Sequence, residues 1–273
     1  MIISDTYRFV FVHIPKCAGT TVRMRLQGFD TRNGEFYGVR QHPQLGRLEY
    51  GHIPLFTLRE YFPEEFATVR DYWSFAVVRE PFSRFGSSIS QRLKEYIKTP
   101  IHKLGMTEIM KHIDECIEYL SQQPRHAHLL QTEYKHFQKQ IDFLEVDGEC
   151  LIDTIYTLGQ IDLLLNDVGQ RVGRSITEPE KNASSHENRT VVFRNEVFRK
   201  LIEAVRPLSD RAGKILPEGM KQNVRDYVYV SQVDRLKDVF AMQHVKDFIK
   251  DYYAEDFQVY ERTVSKADVL TTS

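Results

Sequence analysis

Apolar residues along the chain fall into short blocks, separated by stretches in which they recur at helical spacing. The first block, Tyr7–Ile14 (YRFVFVHI), is rich in β-branched and aromatic residues and reads as a buried strand. It runs into Pro15-Lys16-Cys17-Ala18-Gly19-Thr20-Thr21. Val22 and Leu26 then stand four apart, and Gly28 closes a helix. Residues 29–50 are polar and predict irregular structure, with a short helical piece near Leu58–Phe62 beyond them. The second block, Ser74–Val78 (SFAVV), predicts another buried strand. It breaks at Arg79-Glu80-Pro81 into a helix with Phe85, Ile89, Leu93 and Tyr96 on one face. Ile109, Ile113, Cys116, Ile117 and Leu120 mark a further amphipathic helix, and short strands are expected at Ile141–Val146 and Asp153–Leu158. Arg174–Arg189 is almost free of apolar residues and reads as a mobile surface loop. The remainder predicts helix, ending with Val245, Phe248, Ile249, Tyr252 and Tyr253 at helical spacing.

Alternating strands and helices give an α/β class, a mainly parallel sheet flanked by helices. No internal repeat or linker interrupts it, so a single domain over residues 1–273 is expected. Composition narrows the function more than the fold. With 41% apolar and 27% charged residues the chain is an ordinary globular one, not a disordered or fibrous one. Lys+Arg 37 against Asp+Glu 38 leaves a formal charge of −1, so there is no global basic field for nucleic acid or a membrane surface. Cys17, Cys116 and Cys150 are odd in number and share no metal-ligand spacing, which implies no disulfide framework. No apolar stretch reaches the length of a membrane span, and no leader pattern opens the chain. A reducing, cytoplasmic setting is expected.

The turn after the first strand has the makings of an anion site. A strand–turn–helix junction aims backbone N–H groups and the helix dipole at a bound anion. Gly19 permits close approach, Thr20 and Thr21 add hydroxyls, and Lys16 adds a mobile cation. The pattern is not the phosphate loop of Mg-dependent NTPases, because the lysine precedes the glycine. Taken alone, the segment fits better a turn that simply needs a glycine and a helix cap. Cys17 and Arg23 also satisfy the Cys-x5-Arg spacing of cysteine-dependent phosphatases, in which a thiolate attacks phosphorus.

A second such junction follows the second strand, at Arg79-Glu80-Pro81-Phe82-Ser83-Arg84-Phe85-Gly86-Ser87. Proline suits the first turn of the new helix. Arg79 and Ser87 are expected to converge on one anion, the guanidinium offering a fork of donors. Two anion sites at the ends of two strands point to a ligand with two separated phosphate-like groups.

Together the motifs carry a resemblance. His13-Ile14-Pro15-Lys16-Cys17-Ala18-Gly19-Thr20-Thr21 resembles the 5′-phosphosulfate loop of sulfotransferases, and Arg79 through Ser87 resembles their 3′-phosphate site. The likeness is to the carbohydrate branch, which includes the heparan and chondroitin enzymes and many bacterial relatives. It extends over residues 7–28 and 50–96, the His136–Leu144 segment, Lys181-Asn182-Ala183-Ser184, and Asp247–Tyr260. Lys139 stands where relatives usually carry proline, Gln160 where an arginine is frequent, and residues 190–240 match poorly.

The resemblance implies a P-loop-like nucleotide-binding fold and a donor, 3′-phosphoadenosine-5′-phosphosulfate (PAPS), whose sulfuryl group passes to a hydroxyl without a metal. Lys16 and His52 would be catalytic. Lys16, Cys17, Ala18, Gly19, Thr20 and Thr21 would hold the 5′-phosphate, Arg79 and Ser87 the 3′-phosphate, and the loop with Asn182 and Ser184 would close over the cofactor. His52 lies in Tyr50-Gly51-His52, where relatives carry their base; its ordinary pKa suits that task, so the rate is expected to fall as pH drops through it. His13 reads as structural. His126, His128 and His136 read as solvated helix histidines, since nothing completes a zinc spacing. The expected acceptor is a sugar or glycolipid, with Arg84, Arg92, Lys94, Lys98 and Lys103 offering a basic surface to an anionic chain. A non-catalytic nucleotide-binding protein is the remaining alternative.

Overall fold

The computed structural model describes residues 1–99, 101, 104–176, 191–193, 229–231 and 237–271. The elements in chain order are β1 (Ile2–Ser4), β2 (Phe9–Val12), α1 (Gly19–Leu26), β3 (Val39–His42), β4 (Gly46–Glu49), α2 (Leu55–Tyr61), α3 (Pro63–Asp71), β5 (Trp73–Val78), α4 (Pro81–Glu95) and α5 (Met106–Ser121). Then come β6 (Glu145–Val146), β7 (Glu149–Cys150), β8 (Thr154–Thr157), α6 (Ile161–Val172), β9 (Val191–Phe193), β10 (Tyr229–Ser231), α7 (Lys237–Ala241), α8 (Gln243–Tyr252) and α9 (Ala254–Thr271).

The central sheet has the order β1-β2-β5-β8. β2 pairs parallel with β5 and β5 parallel with β8, placing Phe11 opposite Phe75 and Ala76 opposite Ile155. β1 adds an antiparallel edge. The two inner strands are short apolar runs because helices cover both faces of the sheet. Every residue of β2 is buried, as is β5 from Ser74 on, and the Phe11, Phe75 and Trp73 rings pack at 5.6 and 4.6 Å. Val22 and Leu26 of α1, Val69 of α3, Leu164 and Val168 of α6 and Val259 of α9 complete this core. A second core lies between α4, α5 and α8, where Phe85, Ile89 and Leu93 meet Ile109, Ile113, Cys116, Val245 and Ile249. Among the described residues no helix is long and apolar enough to cross a membrane.

The structure departs from the sequence reading in four places. Residues 29–50 contain the β3–β4 hairpin, with Arg40 opposite Leu48. The helix expected near Leu58–Phe62 begins at Leu55 and is followed directly by α3, which starts on Pro63. Ile141–Val146 is not a strand of the sheet: residues 141–143 form a 3-10 turn and only Glu145–Val146 pairs, with β7. The carboxylate of Asp256 accepts the backbone N–H groups of Gln140 and Ile141, both at 3.0 Å, so those donors are withdrawn from any ladder. The terminal helical run is two helices, divided at Tyr253.

Candidate active site

Both candidate anion loops sit at the C-terminal ends of adjacent parallel strands, the edge of an open α/β sheet where ligands bind. The first loop is shaped by its backbone. Lys16 and Ala18 are left-handed, at φ 64° and 56°, a conformation that costs a non-glycine residue about 1–3 kcal/mol and turns successive N–H groups into a concavity for anions. The first hydrogen bonds of α1 run from Thr21 N–H and Val22 N–H to the Ala18 carbonyl, so the N–H groups of residues 17–20 precede the helical ladder. Thr20 and Thr21 are exposed at its mouth. Gly19 is obligatory: a Cβ there would lie 1.7 Å from His13 Nε2. His13 is thus a wall of the loop, stacked on Phe11, in keeping with its structural reading.

Lys16 Nζ donates to Gln91 Oε1 at 3.2 Å, and its carbonyl accepts from Arg79 Nη1, also at 3.2 Å. Burial, then the Arg79 charge, push the Lys16 pKa down to about 8. Arg79 donates further to Ser83 Oγ, from Nε at 3.0 Å and Nη2 at 2.7 Å, and burial holds it below the ordinary arginine value. Neither cation has a carboxylate partner among the described residues. Both are partly desolvated and both are satisfied only by neutral oxygens, which is the condition of a site awaiting an anion.

Arg79 and Ser87 do not meet. The guanidinium is turned to Ser83, one helical turn before Ser87, whose half-exposed hydroxyl has no described partner. Ser83, Ser87 and Gln91 therefore form one stripe on α4, and Ser83 joins the candidate site, where the sequence reading did not place it. Its position four residues before Ser87 was the available signal. Glu80 caps α4 by accepting from Phe82 N–H at 3.0 Å and Ser83 N–H at 2.7 Å. The helix terminus is thereby filled, and anion contacts on this side fall to side chains.

His52 lies in the 3-10 turn after β4, its Nδ1 donating to the His13 carbonyl at 3.0 Å. A carbonyl only accepts, so the proton is on Nδ1 and Nε2 carries the free lone pair. The ring is 4.2 Å from that of His13 and 6.1 Å from that of His136. Burial pushes its pKa down to about 3. This corrects the expected acid limb and the ground given for the role: His52 is neutral far below working pH and is a weaker base than an ordinary imidazole, so any part it plays as a base rests on its position. It borders a cavity of about 330 Å³ shared with Leu45, Arg47, Glu49, Leu129 and Lys135. A polar chain joins Lys16 to this turn: Gln91 donates to Glu95, Lys135 bridges Glu95 and Glu49, and Glu49 accepts from Gly51 N–H.

Other expectations fail on geometry. Cys17 is buried, and burial pushes its thiol up to about 12, so no nucleophilic thiolate exists near neutral pH. Arg23 leaves the loop for the Met1 carbonyl and the Tyr37 ring. The phosphatase reading is thereby excluded. The basic surface also dissolves, since Arg84 and Arg92 are buried and paired with Asp256 and Glu133 at 3.4 and 2.5 Å. Lys94 and Lys98 are exposed, and Lys103 lies outside the described residues, as do Asn182 and Ser184. His126 and His128 belong to a loop, not a helix, and His136 is only 7% exposed with Nδ1 unpartnered. Lys139 reaches Glu255 at 3.1 Å, and Gln160 caps Thr157.

Gln140 is the second residue missed. Fully buried, it accepts from Cys17 Sγ at 3.2 Å and Arg79 N–H at 2.8 Å through Oε1, and donates from Nε2 to the Arg79 carbonyl at 2.9 Å.

Compared with known proteins, the chain matches a family model described as Sulfotransferase family over residues 1–261. No curated protein and no solved structure matches it.

Proposed function

Because the chain belongs to the sulfotransferase family, we propose that it transfers a sulfuryl group from PAPS to a hydroxyl of a sugar or glycolipid, as one domain of P-loop-like fold over residues 1–273. The observation that carries this reading is the pair of cations, Lys16 and Arg79, that have no carboxylate partner among the described residues and lie on loops joined by a 3.2 Å hydrogen bond. Residues 16–21 are assigned to a 5′-phosphate, and Arg79, turned to Ser83, with Ser87 one helical turn farther along α4, to a 3′-phosphate. Asn182 and Ser184 are assigned to the same nucleotide by resemblance alone.

When bound, PAPS supplies an activated sulfuryl group. Lys16 opposes the negative charge that grows on the leaving oxygen, a preorganised electrostatic role that calls for no metal. His52, held in one tautomer by the His13 carbonyl, takes the acceptor's hydroxyl proton on Nε2. The cavity beside it, with leucines and polar groups together, suits a sugar ring or a glycolipid headgroup. A cytoplasmic setting is supported by three free thiols.

Transfer of labelled sulfate from PAPS to a panel of sugars, glycolipids and phenols tests the reading. Wild-type transfer is expected, with His52→Ala lowering turnover by about 10²–10⁴ while affinity for adenosine 3′,5′-bisphosphate persists. Absence of both transfer and bisphosphate binding overturns it; normal turnover in His52→Ala removes His52 as the base.

A further inference from the structure

The two candidate anion loops follow different strands, and besides the bond from Arg79 Nη1 to the Lys16 carbonyl one buried side-chain amide spans them. Gln140 is 0% exposed. Its Oε1 accepts hydrogen bonds from the Cys17 thiol of the first loop and the Arg79 N–H of the second, while Nε2 donates to the Arg79 carbonyl. The amide itself is immobilised from behind. Asp256 of α9 holds the Gln140 and Ile141 N–H groups with separate oxygens and is paired in turn with Arg84. Cys17, protonated because it is buried, is thus a donor to Gln140, which gives the cysteine a part to play without nucleophilic chemistry.

We propose that Gln140 is a positioning residue: it sets the distance between the Lys16 loop and the Arg79 loop, so that the site selects a nucleotide bearing both phosphates over one bearing either alone. This inference rests on the reading of the two loops as phosphate sites. A rigid ribose presents its two phosphates at a fixed separation. Binding the second phosphate is then an intramolecular event whose advantage depends on the receiving groups being held at the matching distance. Loops free to drift apart would bind each phosphate nearly as well singly, but would lose the joint advantage to the ordering cost.

The test measures affinities of the full chain for adenosine 3′,5′-bisphosphate, 5′-AMP and 3′-AMP. Gln140→Met keeps the length and removes all three hydrogen bonds. It is expected to weaken the bisphosphate by about tenfold or more and each monophosphate by less than about threefold. Wild type preferring the bisphosphate verifies the premise; equal affinities in wild type overturn the underlying site reading. Given that preference, an unchanged bisphosphate affinity in Gln140→Met overturns the inference. An equal loss for all three nucleotides does so too, because that marks a residue that only holds the fold. Should Gln140→Met not fold, Cys17→Ala and Cys17→Ser decide the matter. Alanine deletes one arm of the strut and should weaken the bisphosphate selectively, whereas serine, a donor of similar size, should restore it. Bisphosphate affinity equal to wild type in both variants counts against the strut.

Discussion

Helix α4 carries arginine and serine chemistry on two faces, and the two have opposite fates. On the inner face Arg84 and Arg92 are ion-paired with Asp256 and Glu133, and Ser88 donates to the carbonyls of Arg84 and His136. On the outer face Ser83 meets Arg79 and Gln91 meets Lys16, with Ser87 between them, and among the described residues only neutral oxygens answer those cations. Spacing does not separate the faces, because both repeat every four residues. The partner does. A buried cation given a carboxylate is finished as structure, while a partly buried cation left without one is available to a ligand.

The largest effect should come from the inner face. Arg84→Ala strands the Asp256 carboxylate in the core and is expected to destabilise the fold by about 3–5 kcal/mol in denaturant unfolding. A loss no greater than surface substitutions cause would break the contrast. On the outer face, Lys16→Ala should leave thermal stability near wild type but lower sulfuryl transfer by about 10²–10³. Loss of stability in parallel with activity would put Lys16 with the structural cations.

The same lysine predicts a pH profile. Its acting form is protonated, and its pKa lies at about 8. Hence kcat/KM for the donor should be level below that pH and fall by about tenfold per unit above it. Because burial pushes the His52 pKa down to about 3, no acid limb is expected from it between about pH 5 and 7. A limb there that His52→Asn abolishes would contradict the burial argument. The smallest effect is that of Ser87→Ala, expected to cost about 1 kcal/mol, roughly fivefold, in bisphosphate affinity, with 5′-AMP unaffected. Equal loss for both nucleotides would move Ser87 away from the 3′-phosphate.

The sequence was most readable where one local pattern decides the outcome. β2 and β5 are apolar runs, α4 is strongly amphipathic behind Pro81, and the two loops proposed for anions lie at the ends of those strands. The β3–β4 hairpin was illegible because its strands, VRQH and GRLE, bury only Leu48 and show no apolar alternation. Ile141–Val146 misled for the opposite reason. Ile141, Phe143, Leu144 and Val146 are all buried, but as a turn packed into the core, and the carboxylate that withdraws the local N–H groups comes from α9. Arg84 and Arg92 read as surface charge because their partners, Asp256 and Glu133, are remote in sequence. Gln140 was invisible as a site residue for the same reason: its role exists only once three distant segments meet.

That dependence has a consequence for the birth of the protein. Asp256 follows Gln140 by 116 residues, and at about 5–20 residues per second a ribosome takes about 6–23 s to add that interval. Throughout it, the nascent chain has both loops and Arg84 in place but lacks the carboxylate that anchors them. The two candidate anion loops are thus synthesised early, and the contact that anchors the residue between them is completed only near the end of the chain.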